Sequence, residues 1–413
     1  MFRIVLLFCL FHSLLSIAQE NRVLTTSGFT LRYLTLDNGD KIRLFVQIPH
    51  NRFMPASADK FLQRFELYYQ IREDLATAAS NLQPKSAKVN WQEAKIKLDE
   101  NEGIKLGFDI PKSENSPTGL LILDFIDLQE SKKHQVSFRV AFAQTKVREM
   151  YAIFKENDEF PLISGFVRAN EKFQIRSIGG EYSNFYVTKI KHTYPPAQLP
   201  MNISKPVQNK ELEVERSFEA KSNEWLQWEE GLYIIKQNPN AFYGLGLRIE
   251  PADFPKIRTK EQLAEALTYL AVASEIKEIQ EAEDLKKAVD AFWLSLSRAD
   301  VTKAKEMVKK YYARIRKANY LFGSFKEGWK TDMGMIYAIF GEPDEIIWDK
   351  DSQRWIYIGN NNFQAGRNYT KITFNFLRRP NQFFEDYYLL VRYVEYDEVW
   401  LKTIQALRQG VGL

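Results

Sequence analysis

The 413-residue sequence predicts a multidomain protein, β-rich in its first half and α+β in its second. An N-terminal antiparallel β-sandwich of immunoglobulin-like type is expected to precede a helical segment that ends in a small antiparallel sheet. Two observations lead there. Apolar and polar residues alternate with period two through much of the first half, as in strands with one wet face, and from Thr259 onward the apolar period becomes helical. The chain is 45% hydrophobic and 14% aromatic, enough to fill two or three cores at about 150 residues per domain.

Residues 1–18 read as a signal peptide. Met1, Phe2 and Arg3 make a basic start, Ile4 to Leu15 is an apolar run broken only by His12 and Ser13, and Ser16-Ile17-Ala18 offers small residues at the two positions read for cleavage. An uncleaved anchor is the alternative, but the run falls short of the ~20 residues that a span needs. Cys9, the single cysteine, lies inside this segment, so the mature chain would hold together without disulfides. No later segment is apolar for long enough to cross a membrane. The 57 Lys and Arg against 53 Asp and Glu give no concentrated basic character, so nucleic acid is not an expected partner.

Within 23–145, KIRLFVQI (Lys41 to Ile48), RFELYYQI (Arg64 to Ile71), GIKLGFDI (Gly103 to Ile110) and QVSFRVAF (Gln135 to Phe142) largely alternate, and GLLILDFIDL (Gly119 to Leu128) reads as a more buried strand. Seven or eight short strands with a turn every ten residues or so suggest the sandwich. A second small β region is expected over 146–200, then a linker over 201–213 introduced by Pro195, Pro196, Pro200 and Pro206. The remainder, 214–413, opens with a hairpin in GLYIIKQNPNAFYGLGLRIE (Gly231 to Glu250). Thr259, Lys260, Glu261 and Gln262 form a capping box that starts a helix. Leu285 to Leu296 and Ala304 to Ala318 carry the apolar stripes of two more.

The second of these helices bears Lys303, Lys305, Lys309, Lys310, Arg314, Arg316 and Lys317, opposed only by Glu306. A solvated outer face explains them, and a patch for an anionic surface or acidic partner is the functional alternative. The sharpest local pattern follows, in EGWKTDMGMIYAIFGEPDEI. Gly328 permits a sharp turn with Trp329 in the corner, and Thr331 or Asp332 caps a short helix, Met333 to Phe340. Gly341 stops that helix and Pro343 keeps it from resuming. A hairpin is expected over Asp344 to Gly359, where Trp348, Trp355 and Tyr357 offer aromatic packing or, if exposed, an interaction surface. Strands in Asn368 to Arg379 and Tyr387 to Val394 and a helix over Asp397 to Arg408 complete the chain.

Gly328, Trp329, Lys330, Thr331 and Asp332, followed by Gly334, Tyr337, Gly341, Pro343 and Asp344, resemble the signature of the GWxTD-domain proteins. The resemblance is specific over Asp253 to Arg379, with Met333 standing where an arginine is common. It implies an exported protein of the periplasm or outer-membrane periphery of a Gram-negative bacterium, and no defined biochemical role. The order of short helix, turn and aromatic strands also resembles, at the level of fold alone, the small lipoprotein subunit of the outer-membrane β-barrel assembly machinery.

Chemistry is hard to find. His50, His134 and His192 are far apart in sequence with no zinc spacing, no nucleophile elbow appears, and Asp349-x-Asp351 lacks the rest of a calcium loop. No metal or cofactor is expected. Asp332, Asp344 and Glu345 are the carboxylates nearest a motif; Asp332 and Asp344 could converge as an acid and base, or serve as helix cap and strand start. Two functional expectations follow. The first is a non-catalytic envelope scaffold or accessory subunit that binds envelope or outer-membrane proteins. The second is a hydrolase or glycan-binding protein acting on wall or surface polysaccharide, which requires Trp348, Trp355 and Tyr357 exposed beside Asp332 and Asp344.

Overall fold

The computed structural model describes the chain apart from residues 1–30, 51–54, 74–85, 101, 115, 144–145, 164, 192–193, 204–212, 258 and 360–368. The expected signal segment 1–18, with Cys9, and also His192 therefore lie outside the described residues.

Period-two alternation in the first third becomes two four-stranded antiparallel sheets. Strands β1 (Arg32–Asn38), β2 (Lys41–Ile48), β6 (Gly103–Pro111) and β5 (Lys95–Asp99) lie in that order in one sheet. The other runs β4 (Ala87–Lys88), β3 (Phe65–Glu73), β7 (Thr118–Asp127) and β8 (Lys132–Ala141). Register puts Ile42 opposite Ile110, Leu44 opposite Phe108 and Val46 opposite Leu106, so one face of the first sheet is continuous hydrocarbon. Leu123 opposite Val136 and Leu121 opposite Phe138 do the same in the second, and the two faces share a single buried core. A short helix that alternation did not predict, α1 (Ala58–Arg64), is capped by Ser57, whose hydroxyl accepts from the Lys60 amide at 3.2 Å.

The middle of the chain forms α2 (Val147–Met150), β9 (Ala152–Lys155), β10 (Phe166–Arg168), β11 (Phe173–Arg176), β12 (Asn184–Ile190), β13 (Val214–Lys221), β14 (Gly231–Lys236) and β15 (Leu245–Glu250). Five of these strands make a sheet ordered β10-β15-β14-β12-β13, mixed because β10 runs parallel to β15, while β9 and β11 pair separately. The expected linker 201–213, largely outside the described residues, falls between strands of this one sheet. β12 pairs with β13 on one side and with β14 on the other, Val187 facing Ile235 and Ile190 facing Leu232. Phe185, Val187 and Ile235 are fully buried together, and burying them requires that the strands on both sides of the linker combine. The proline-rich stretch is likewise tied down rather than spacer-like: the Tyr393 amide donates to the Pro200 carbonyl at 3.2 Å, and Arg392 Nη2 to that of Gln198 at 3.0 Å.

The last part holds α3 (Lys260–Glu265), α4 (Ala273–Gln280), α5 (Leu285–Leu296), α6 (Val301–Phe322), α7 (Asp332–Phe340) and α8 (Tyr396–Arg408). They pack with a sheet ordered β16 (Glu345–Asp349), β17 (Ser352–Ile358), β18 (Lys371–Arg378) and β19 (Tyr388–Leu390). The capping box at Thr259 forms as expected, with the Gln262 amide donating to the threonine hydroxyl at 3.2 Å. Helix α7 is the axis of this core. All nine of its residues are buried, and a helix apolar on every side must be enclosed on every side. No described helix is long and apolar enough to cross a membrane.

Candidate functional site

The corner between α6 and α7 is built by backbones touching backbones. A Cβ on Gly328 would stand 2.1 Å from the Ala318 carbonyl oxygen of α6, and one on Gly334 only 1.8 Å from the carbonyl oxygen of Gly328. Both contacts exclude any side chain, so the two glycines let a single 3-10 turn, Gly328–Lys330, lie flat between the helices. Asn319 Oδ1, itself buried, accepts from the Trp329 amide at 3.2 Å. The Trp329 ring is buried and meets Tyr269 edge to face at 5.8 Å.

Thr331 joins the turn to the helix. Its hydroxyl donates to the Gly328 carbonyl at 2.7 Å and accepts from the Gly334 amide at 3.0 Å, which makes Thr331 the N-cap of α7. Asp332, the alternative cap in the sequence reading, does something else. Its buried carboxylate takes Arg392 Nη2 on Oδ1 at 2.6 Å, and Arg392 Nη1 at 3.1 Å and the Leu390 amide at 2.7 Å on Oδ2. This two-pronged ion pair ties the start of α7 to the end of β19. Arg392 was not singled out in the sequence: it lies 60 residues from Asp332, and no spacing rule links an aspartate after a turn to an arginine after a strand.

The other end of α7 is finished by three expected residues. Gly341 takes φ +76° and donates its amide to the Tyr337 carbonyl at 2.9 Å; buried Pro343 follows. Asp344 receives the Ile358 amide at 2.8 Å, holding the mouth of the β16–β17 hairpin. Tyr337 is buried beside Phe322, and burial pushes its phenol above the ordinary tyrosine value.

Three residues expected as interaction surface belong to this framework. Trp355 and Tyr357 are fully buried, because α7 covers the face of the sheet that carries them; Phe340 meets Tyr357 at 5.5 Å, and Tyr357 donates its hydroxyl to the Gly341 carbonyl at 3.0 Å. Arg314 is also used internally: Nη1 donates to the Ile339 carbonyl at 2.8 Å and Nη2 to that of Gly412, so it closes the carbonyl end of α7. Trp348 is half-buried between the first core and the last. Lys309 and Lys310 are exposed on α6.

The site therefore offers no open pair of carboxylates. Asp332 is taken by Arg392 and Leu390, Asp344 by Ile358, and the aromatic cleft on which a polysaccharide site depended is not formed by Trp355 and Tyr357. Among the described residues no three of His, Cys, Asp or Glu come together as a metal site would. One group at the corner is electrostatically unusual. Burial pushes the Lys326 amine down to about 8, against the pull of Asp332 and Glu327.

Residues 231–409 match the GWxTD domain, a span wider at both ends than the Asp253 to Arg379 over which the signature was legible. Neither the curated proteins nor the solved structures contain a match.

Proposed function

As a GWxTD-domain protein, with that domain at residues 231–409, this chain is one that we propose serves the cell envelope as a non-catalytic scaffold or accessory subunit, exported and bound to other envelope proteins. The observation that carries this reading is the state of the signature itself. Three signature side chains with chemistry to offer, Thr331, Asp332 and Asp344, are already bonded within the protein. A motif enclosed in this way serves to hold a shape, and the function is then carried by the surfaces that the shape presents.

The N-terminal sheets belong to the same reading as an immunoglobulin-like module. Their orders, β1-β2-β6-β5 and β4-β3-β7-β8, correspond to the A-B-E-D and C′-C-F-G arrangement of that fold. A crystal structure with β4 paired elsewhere than on β3 would remove this assignment.

Crosslinking in intact cells through a C-terminal epitope tag, followed by membrane fractionation and mass spectrometry, tests the proposal. Stoichiometric recovery with outer-membrane or other envelope proteins is expected. A freely soluble monomer with no partner overturns it.

A further inference from the structure

A cavity of about 450 Å³ lies where the three parts of the molecule meet. Its walls come from β1, from α2 and β15, from the end of α6 at Leu321 to Ser324, from Thr331 and Met333 beside the signature turn, and from the segment 383–388. The size falls within the roughly 300–1,000 Å³ of small-molecule sites. The lining is mainly hydrocarbon and aromatic, Leu34, Val140, Leu247, Met333 and Phe384 among it.

The carboxylates in these walls, Glu149, Glu385 and Asp386, are already paired with Lys146, Arg148 and Arg378, and the groups left over are donors. Arg148, Arg32, Trp348 and Ser324 are among the lining residues, and Arg148 Nε, Arg32 Nη1, Trp348 Nε1 and the Ser324 hydroxyl are buried with no hydrogen-bond partner. Arg148 is 8% exposed and Ser324 5%. Neither guanidinium is free to turn away and seek one. Arg148 is held by its ion pair with Glu385 and by the Tyr243 ring, 5.0 Å from Cζ; Arg32 is held by the Leu321 carbonyl at 3.1 Å and by that of Tyr320. Arg32 has no carboxylate within ion-pair distance among the described residues, and its hydrogen bonds go to neutral carbonyl oxygens. A buried donor left unpaired is destabilising, a cost that an acceptor brought to it would remove.

We propose that this cavity binds an amphiphile with an anionic head: an apolar body packed along the hydrocarbon walls, ending in a carboxylate or phosphate that takes hydrogen bonds from Arg32, Arg148, Ser324 and Trp348. Four donors and a cation without a counter-ion select an acceptor-rich anion over an amine or an alcohol. The inference goes beyond the scaffold reading and does not depend on it, since a protein with no envelope partner could still hold such a ligand.

The test uses the full chain and titrates the fluorescent sulfonate 8-anilinonaphthalene-1-sulfonate, then displaces it with palmitate or with palmitoyl lysophosphatidate. Saturable binding at one equivalent, displaced by either competitor, is expected; displacement by palmitate alone assigns a carboxylate ligand, and by lysophosphatidate alone a phosphate. Ser324→Ala should weaken displacement about tenfold while leaving the melting temperature no lower than that of the unchanged protein, because its hydroxyl has no bond in the free protein to lose. Leu34→Trp, which fills the cavity, should abolish it. Should Arg148→Met fail to fold, these two variants still decide the matter. The proposal is overturned if neither competitor displaces the probe, or if both variants bind and release it as the unchanged protein does.

Discussion

Asp332 and Arg392 are worth more to each other than to any outside ligand. Removing the arginine alone leaves a buried carboxylate with one amide donor, so Arg392→Met should cost about 3–5 kcal/mol in chemical denaturation. Asp332→Asn keeps the shape and one acceptor oxygen and should cost less, about 1–3 kcal/mol. The double variant should therefore be more stable than Arg392→Met alone; if it is less stable, the pair is not the unit described above. Lys326 gives a pH signature. Its folded value of about 8 lies below the ordinary 10.5, so the unfolded chain holds this proton more tightly and stability rises as pH climbs from about 8 to 10.5. Asp332 and Glu327 raise the amine, while burial, Lys330 and Arg392 lower it. Lys326→Met should melt higher than the unchanged chain near pH 7, and the gap should close toward about pH 10; a gap constant with pH sinks the assignment.

At the scale of elements, α7 depends on what closes its two ends and on the glycines that let it in. Thr331→Val removes both the bond to the Gly328 carbonyl and the cap of the Gly334 amide, and a loss of about 1–2 kcal/mol is expected. Gly334→Ala forces a methyl group into a carbonyl oxygen and should cost at least the upper end of the about 1–3 kcal/mol typical of overpacking, measured by the same denaturation. Much at this scale was legible. Gly328, Gly341 and Pro343 mark a corner and a stop because few other residues can occupy such backbone, and the alternation in Lys41 to Ile48 leaves one register once a face must be buried. What was not legible shares one cause. A strand such as Ser352–Ile358 announces that Trp355 and Tyr357 share a face, and is silent on whether α7 or water covers that face. The same silence hid Arg392 as the partner of Asp332 and Arg314 as the closure of α7, since each contact spans tens of residues and depends on the finished packing.

For the whole molecule, the contacts between parts include specific hydrogen bonds beside apolar packing such as that of Phe383 with Leu232 and Ile234. Tyr33 donates its hydroxyl to Asp386 at 2.9 Å, Gln47 Nε2 to the Tyr320 hydroxyl at 2.7 Å, and the Ser137 hydroxyl to the Trp348 carbonyl at 3.3 Å, joining the N-terminal sheets to the last domain. The Gly246 amide donates to the Phe383 carbonyl at 3.1 Å, and Arg248 Nη1 to that of Phe325 at 3.3 Å, joining the middle sheet to the same domain. Asp386 resists ionisation through burial, and Arg378 and the Tyr33 hydroxyl pull it back. Parts linked by so many long-range bonds should melt together, and scanning calorimetry is expected to show one transition; two well-separated transitions would mean that these contacts do not couple the parts.

The five-stranded sheet bears on how the gene can be cut. The stretch that matches the GWxTD domain begins at Gly231, the first residue of β14, yet β14 takes its hydrogen bonds on one side from β12, some forty residues upstream. The matched span therefore cuts through a hydrogen-bonded sheet. A fragment cloned from residue 231 would bare a raw edge of alternating apolar strand, an invitation to pair with its own copies, whereas one that starts at residue 146 carries its own edge cover.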